Sequence, residues 1–224
     1  MKVEVKGYIV SNEDKEIYDY FGIGTTSPSD ISTAIEQAAG KSLDVEISTC
    51  YGGSIFAGSQ MYASLKNYTG GVHITITALA ASAASIVAMA GPCEMSPTAM
   101  MMVHHVSNSA EGNFHDMDKN SEMLQQADKA MAAAYTTKSG MSETDALAMM
   151  DSEVWLTAQQ AVEKGLVDKV MFDDSAQLVN ACGGSMLPRS VIEKTRNMLH
   201  PVVPNTDVAE IETLKAKLAL QIAL

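Results

Sequence analysis

An α/β fold with a parallel sheet is what the sequence predicts, and two observations carry it. From Val3 to Tyr68, strand and helix patterns alternate in the order strand, helix, strand, helix. That order implies parallel pairing through right-handed crossovers. Hydrophobic residues make up 46% of the 224-residue chain and charged residues 19%, which is enough apolar material for a real core.

The elements follow in order. Val3 to Val10 reads as a strand, Ser11-Asn12-Glu13-Asp14-Lys15 as a turn, and Glu16 to Phe21 as a second strand. Ser27 is placed to cap a helix, with Pro28 at its first position and Asp30 completing the capping pattern. Ile31, Ile35 and Ala38 make its apolar face, and Gly40 ends it. Leu43 to Ser48 is the next strand. A glycine turn from Thr49 to Ser54 leads into a helix from Ile55 to Tyr68. Val72 to Thr77 is again a strand. The run from Ala78 to Gly91 that follows is almost wholly small or apolar, so backbones can approach closely, and it reads as a buried helix starting near Ser82.

Cys93-Glu94-Met95 is a short strand and Pro97-Thr98 a turn. Met100 to Val103 is an uncharged strand that delivers His104 and His105, and Ser107 to Asn113 is a loop. Residues 115–139 form a long helix, with Met117, Leu124, Ala127, Met131 and Ala134 or Tyr135 at helical spacing and Gly140 closing it. Ser142 caps a helix ending near Met150, and Val154 to Leu156 is a short strand. Thr157-Ala158-Gln159-Gln160 is a capping box for a helix closed by Gly165. Val167 to Phe172 is the last strand of a domain spanning residues 1–173. Residues 174–224 read as a Gly- and Pro-containing linker and a helical extension. From Asp207 onward, Val208, Ile211, Leu214, Leu218 and Ile222 form an apolar face that needs a partner.

Composition removes several function classes. The formal net charge is −12, from 27 acidic and 15 basic residues, which argues against nucleic acid as the main partner. Cys50, Cys93 and Cys182 have no metal-type spacing, and their odd number fits reduced thiols in a cytoplasm. The N-terminus lacks the apolar core of a signal peptide, and no run reaches transmembrane length without polar residues. No metal site and no cofactor is expected: His73, His115 and His200 pair with nothing at ligand spacing, and Gly183-Gly184 lacks the flanking strand and helix of a phosphate loop. The 16 methionines read as adaptable packing material.

Four pieces remain: the Gly52-Gly53 turn, Ser82, His104, and an acid just before Trp155. Acyl transfer needs a hydroxyl nucleophile, an imidazole base, a carboxylate that orients it, and two N–H groups facing the oxyanion. A serine at a helix N-terminus has the partial positive charge of that terminus beside it. The same serine is also an ordinary cap, and a histidine after an apolar strand is often a satisfied core group.

In these four segments the chain resembles the Clp-type serine peptidases, and most closely their phage and prophage branch, the head maturation proteases. The likeness runs from Leu43 to Asp168. Tyr51-Gly52-Gly53-Ser54-Ile55-Phe56-Ala57-Gly58 matches the family's Pro-Gly-Gly turn, with Tyr51 in the proline's place. Ala80-Ala81-Ser82 with Ala90-Gly91 matches the nucleophile segment, and Pro97 through His104 the histidine segment. Trp155 through Asp168, with its Gly-Leu-Val-Asp, matches the closing segment.

The resemblance implies Ser82 as nucleophile, His104 as base, and the Gly53 and Ala83 N–H groups as the oxyanion hole. Ser85 competes with Ser82, and His105 with His104; register favours Ser82 and His104. Glu153 stands where the family usually has aspartate, and Asp151 is the alternative third member. The implied fold is a crotonase-like spiral of βαβ units whose long helix is a handle that pairs subunits into rings or double rings. Implied partners are polypeptides, among them phage scaffold or capsid proteins, in host cytoplasm or prohead. Little precedes the first strand, so neither a long axial loop nor a propeptide is expected, which bears against docking of an unfoldase ATPase. The rival readings are a housekeeping-type degradative subunit working with such an ATPase, and a catalytically silent assembly module.

Overall fold

The computed structural model describes residues 1–172. The linker and helical extension expected over residues 174–224 lie outside the described residues. The chain runs β1 (Lys2–Ile9), α1 (Asn12–Tyr20), β2 (Thr25–Thr26), α2 (Pro28–Ala38), β3 (Leu43–Gly53), α3 (Ile55–Asn67), β4 (Val72–Ala81) and α4 (Ala83–Ala88). It continues with β5 (Cys93–Met95), β6 (Met100–Val103), α5 (Phe114–Ser139), α6 (Glu143–Asp151), β7 (Val154–Thr157), α7 (Ala158–Glu163) and β8 (Lys169–Val170). The described strands form one sheet in the order β2-β1-β3-β4-β5-β8, with β6 on β4 and β7 on β6. Pairing is parallel throughout except between β6 and β7. The expected α/β architecture of βαβ units is therefore present.

β4 organises the sheet. Its Ile74, Thr75 and Ile76 pair with β5, while Leu79, Ala80 and Ala81 pair with β6. The chain steps from one partner to the other through the Ser96–Ala99 turn, where Ser96 N–H donates to Ile76 O (2.8 Å) and Ala99 N–H to Ser96 O (2.9 Å). The core lies on β3 and β4: Val45, Ile47, Cys50, Ile74, Ile76 and Ala80 are each at most 1% exposed, with Met61 and Leu65 of α3 and all of α4 packed over them.

Four expectations are corrected. Residues 12–20, expected as a turn and a second strand, form helix α1 instead, with Phe21 as its C-cap. Ser11 is its cap, accepting from Asp14 N–H at 3.1 Å, and Glu13 and Asp14 complement the positive end of its dipole. The glycine turn after Ser48 is instead the end of β3, because β1 continues to pair with it as far as Ile9–Gly53. The strand expected to end at Thr77 runs on to Ala81, since β3 and β6 claim that backbone from both sides, while α4 starts at Ala83, next to the expected Ser82. β8 has two residues rather than six because its partner β5 has only three.

α5 has 26 residues, a length of about 39 Å. Its buried residues, Asp128, Ala132, Ala134 and Tyr135, all lie in its C-terminal half. The N-terminal half leaves Phe114, Met117 and Met123 exposed. At the other end, Lys138 Nζ reaches Asp168 Oδ2 at 2.6 Å, and Cys93 N–H donates to the same oxygen at 2.6 Å. Burial opposes the charge on Asp168, but these two donors hold its carboxyl below the usual carboxylate range. The contact fastens α5 and the closing segment to β5. No described helix is long and apolar enough to cross a membrane.

Candidate active site

The turn between β4 and α4 sets Ser82 at φ 55°, ψ −125°, a backbone state that non-glycine residues rarely occupy. A strand-to-helix turn of this kind lifts a side chain out of the sheet's end while the backbone stays anchored. Here Ser82 N–H donates to Met102 O at 2.9 Å, and Ser82 O accepts from Ser85 N–H at 2.9 Å. β6, paired with the last residues of β4, ends one residue before His104, so the same sheet edge presents both side chains. His104 Nε2 lies 2.8 Å from Ser82 Oγ. With the hydroxyl donating, the imidazole proton sits on Nδ1, the nitrogen that faces away from the serine.

A cavity of about 70 Å³ opens over this pair. Gly53 and Ala83 border it beside Ser82 and His104, and Ile55, Ile86, Val106 and Met131 give it apolar walls. Ala83 is the first residue of α4, and no hydrogen bond among the described residues engages its N–H. Gly52 allows the close approach. A Cβ there would stand 2.6 Å from Ala81 O, 2.7 Å from Ser82 Cβ and 2.8 Å from Ala83 N, at a φ of 80°. Gly52→Ala is therefore expected to slow fluorophosphonate labelling about a hundredfold, the scale of losing one oxyanion donor. A labelling rate equal to wild type would show that the turn has room the geometry denies it.

The competing residues have other partners. Ser85 is fully buried, with its hydroxyl bonded to Ser82 O at 2.6 Å and to Tyr135 OH at 2.7 Å. His105 borders the same cavity but makes no hydrogen bond to Ser82. Its Nδ1 is 2.8 Å from Asp128 Oδ2, off the hydrogen-bonding direction, and its Nε2 is 3.4 Å from Asp151 Oδ1. Asp128 Oδ1 accepts from Val106 N–H at 2.7 Å and so fixes the chain just after His104. Burial pushes the Cys50 thiol up to about 11 and the Cys93 thiol up to about 12, so neither is a thiolate at neutral pH.

The acid is less engaged. β6 and β7 pair antiparallel, with Val103 opposite Val154, so the next step of the ladder sets Glu153 opposite His104. Glu153 itself is exposed, at φ 45°, and makes no hydrogen bond or ion pair with His104. Asp151 faces His105 instead. Ser82, His104, Gly53 and Ala83 are thus gathered at one cavity, while Glu153 stands beside them in register without contact. Asp128 and the Ser85–Tyr135 pair were not singled out as partners of this site in the sequence; their bonds span 22 and 50 residues, beyond any local pattern.

Comparison with known proteins gives this arrangement its family. The Clp protease family model matches residues 33–174. The chain belongs to the Clp protease family. It is 30% identical over 135 residues to an ATP-dependent Clp protease proteolytic subunit of Bacteroides fragilis, covering 59% of this chain and 65% of that one. To the proteolytic subunit of Bacteroides thetaiotaomicron it is 30% identical over 138 residues, covering 59% and 61%. To proteolytic subunit 1 of Chlamydia abortus it is 27% identical over 126 residues, covering 54% and 66%. The match thus spans less than two thirds of the length of the Bacteroides relatives. The sheet with its forked β4 is the Clp protease fold expected from the resemblance.

Proposed function

We propose that the chain is a serine endopeptidase that cleaves peptide bonds through an acyl-enzyme. The observation that carries this is the 2.8 Å contact between Ser82 Oγ and His104 Nε2 at the mouth of an apolar cavity. Ser82 Oγ attacks the scissile carbonyl carbon while its proton passes to His104 Nε2. The carbonyl oxygen becomes an oxyanion held by the Gly53 and Ala83 N–H groups. As the C–N bond breaks, His104 gives that proton to the leaving amine. Water, activated by the same imidazole, then hydrolyses the ester and restores the hydroxyl. Glu153 is assigned to orient His104 through Nδ1, on the support of the β6–β7 register.

The partners proposed are polypeptide substrates and further copies of this chain in a ring or double ring. The exposed half of α5 supports self-association, since it presents apolar side chains that its own domain does not cover. The context assigned is phage or prophage head maturation, on the support of the resemblance of the four segments to that branch. The second reading, a degradative subunit serving an unfoldase ATPase, has its support in the names of the relatives.

The test combines light scattering with cleavage of an internally quenched peptide. Expected are a particle far above monomer mass and hydrolysis without ATP. A monomer at all concentrations would refute the assembly, and absence of hydrolysis in the assembled particle would favour a silent module. Specific cleavage of a co-expressed scaffold protein supports the head-maturation context; co-purification with an unfoldase supports the second reading.

A further inference from the structure

Tyr135 sits in the last turns of α5, 50 residues away in sequence from Ser85, yet the two hydroxyl oxygens are 2.7 Å apart in a fully buried setting. The direction of the bond follows from a proton count. A serine hydroxyl has one hydrogen. Ser85 Oγ lies 2.6 Å from Ser82 O, a carbonyl that can only accept, so Ser85 spends its hydrogen there. Tyr135 must then be the donor to Ser85. The phenol is suited to this, because burial holds it protonated well above its ordinary pKa. The result is a one-way chain, Tyr135 O–H to Ser85 Oγ, and Ser85 O–H to Ser82 O.

Ser82 O also accepts from Ser85 N–H at 2.9 Å, so this one carbonyl receives two hydrogen bonds. It belongs to the peptide unit whose other end is the Ala83 N–H. Within a peptide unit, hydrogen bonds accepted at the oxygen draw charge from the nitrogen and strengthen its N–H as a donor. They also fix the plane of the unit, and with it the direction in which the N–H points. A free helix-start N–H beside a residue at φ 55° is where such fixing matters, because the strained turn would otherwise relax.

We infer that Tyr135 and Ser85 are positioning residues that aim and strengthen the Ala83 N–H as an oxyanion donor. This rests on the serine-peptidase reading of the site. Ser85 does not line the cavity, and Tyr135 borders it while only 2% exposed with its hydroxyl turned to Ser85; the proposed action of both is through the Ser82–Ala83 peptide. Preorganised donors of this kind stabilise the transition state more than the ground state, so the effect falls on kcat rather than KM.

The experiment uses the full chain in four forms: wild type, Tyr135→Phe, Ser85→Ala and the double variant. Peptide hydrolysis is measured well below each melting midpoint, together with the affinity of a peptide boronate, whose tetrahedral adduct places an oxygen at the oxyanion position. Expected is a fall in kcat of about tenfold for Tyr135→Phe and somewhat more for Ser85→Ala, smaller than deleting an oxyanion donor outright. KM stays within about twofold, boronate affinity falls in parallel with kcat, and the double variant is no worse than Ser85→Ala alone. A structural role alone would lower the melting midpoint and leave kcat and boronate affinity untouched, which overturns the inference. Additive losses in the double variant overturn it too. Wild type that neither hydrolyses the peptide nor binds the boronate overturns the serine-peptidase reading itself, a result separate from failure of the relay.

Discussion

Replacing Ser82 by alanine is expected to remove peptide hydrolysis almost completely, a loss on the order of six powers of ten. The Ser82 hydroxyl makes its hydrogen bond to His104, while the backbone is held separately by Met102 O and Ser85 N–H. The substitution therefore deletes the nucleophile and keeps the turn. No nearby group replaces it: Ser85 is buried with both roles of its hydroxyl used, and the Cys50 and Cys93 thiols are held protonated by burial. His104→Ala should cost nearly as much, and the double variant no more than Ser82→Ala, because nucleophile and base act as a unit. Steady-state cleavage of a quenched peptide at enzyme concentrations high enough to detect slow turnover decides it. Retention of a few per cent of activity in Ser82→Ala would move the chemistry elsewhere.

The next largest effect is expected at the acid. Glu153→Gln should lower kcat/KM by roughly two to four powers of ten, by analogy with replacing the carboxylate of other triads. Part of the catalysis survives on the oxyanion donors and substrate binding. Asp151→Asn should be mild, because Asp151 faces His105 and is largely exposed, where an ion pair contributes little. Glu153 makes no contact with His104, so the prediction requires the Glu153 carboxylate to swing from its exposed position across the β6–β7 ladder to His104 Nδ1 in the active particle. The reverse ranking would assign the third role to Asp151. Full activity in both variants would describe a Ser-His dyad.

How much of this was legible in the sequence depends on the range of the interaction. The capping residues Ser27, Ser142 and Thr157 act within three residues, and each helix starts where its cap implies. Ser82 and His104 stood out as candidates at a strand-to-helix turn and a strand end, and it was the family resemblance that chose them over Ser85 and His105. α1 was missed because it buries nothing and its apolar residues, Ile17, Tyr18 and Tyr20, are confined to its last four positions. The end of β4 was not legible past Thr77 because Ala78 to Ala81 have little strand preference of their own, and their strand state comes from partners on both sides. The Tyr135–Ser85 chain was invisible for a different reason. Tyr135 fits the apolar face of α5 by spacing, and only the folded geometry shows that its hydroxyl meets another at 2.7 Å.

Fluorophosphonate labelling followed by peptide mapping is the sharpest test of Ser82 as the nucleophile of a hydrolase site. The probe forms a stable bond only with a hydroxyl activated by its surroundings. Expected is one label per chain, on the peptide that contains Ser82, lost in both Ser82→Ala and His104→Ala. Labelling at Ser85 or any other residue, or none in the assembled protein, would contradict it.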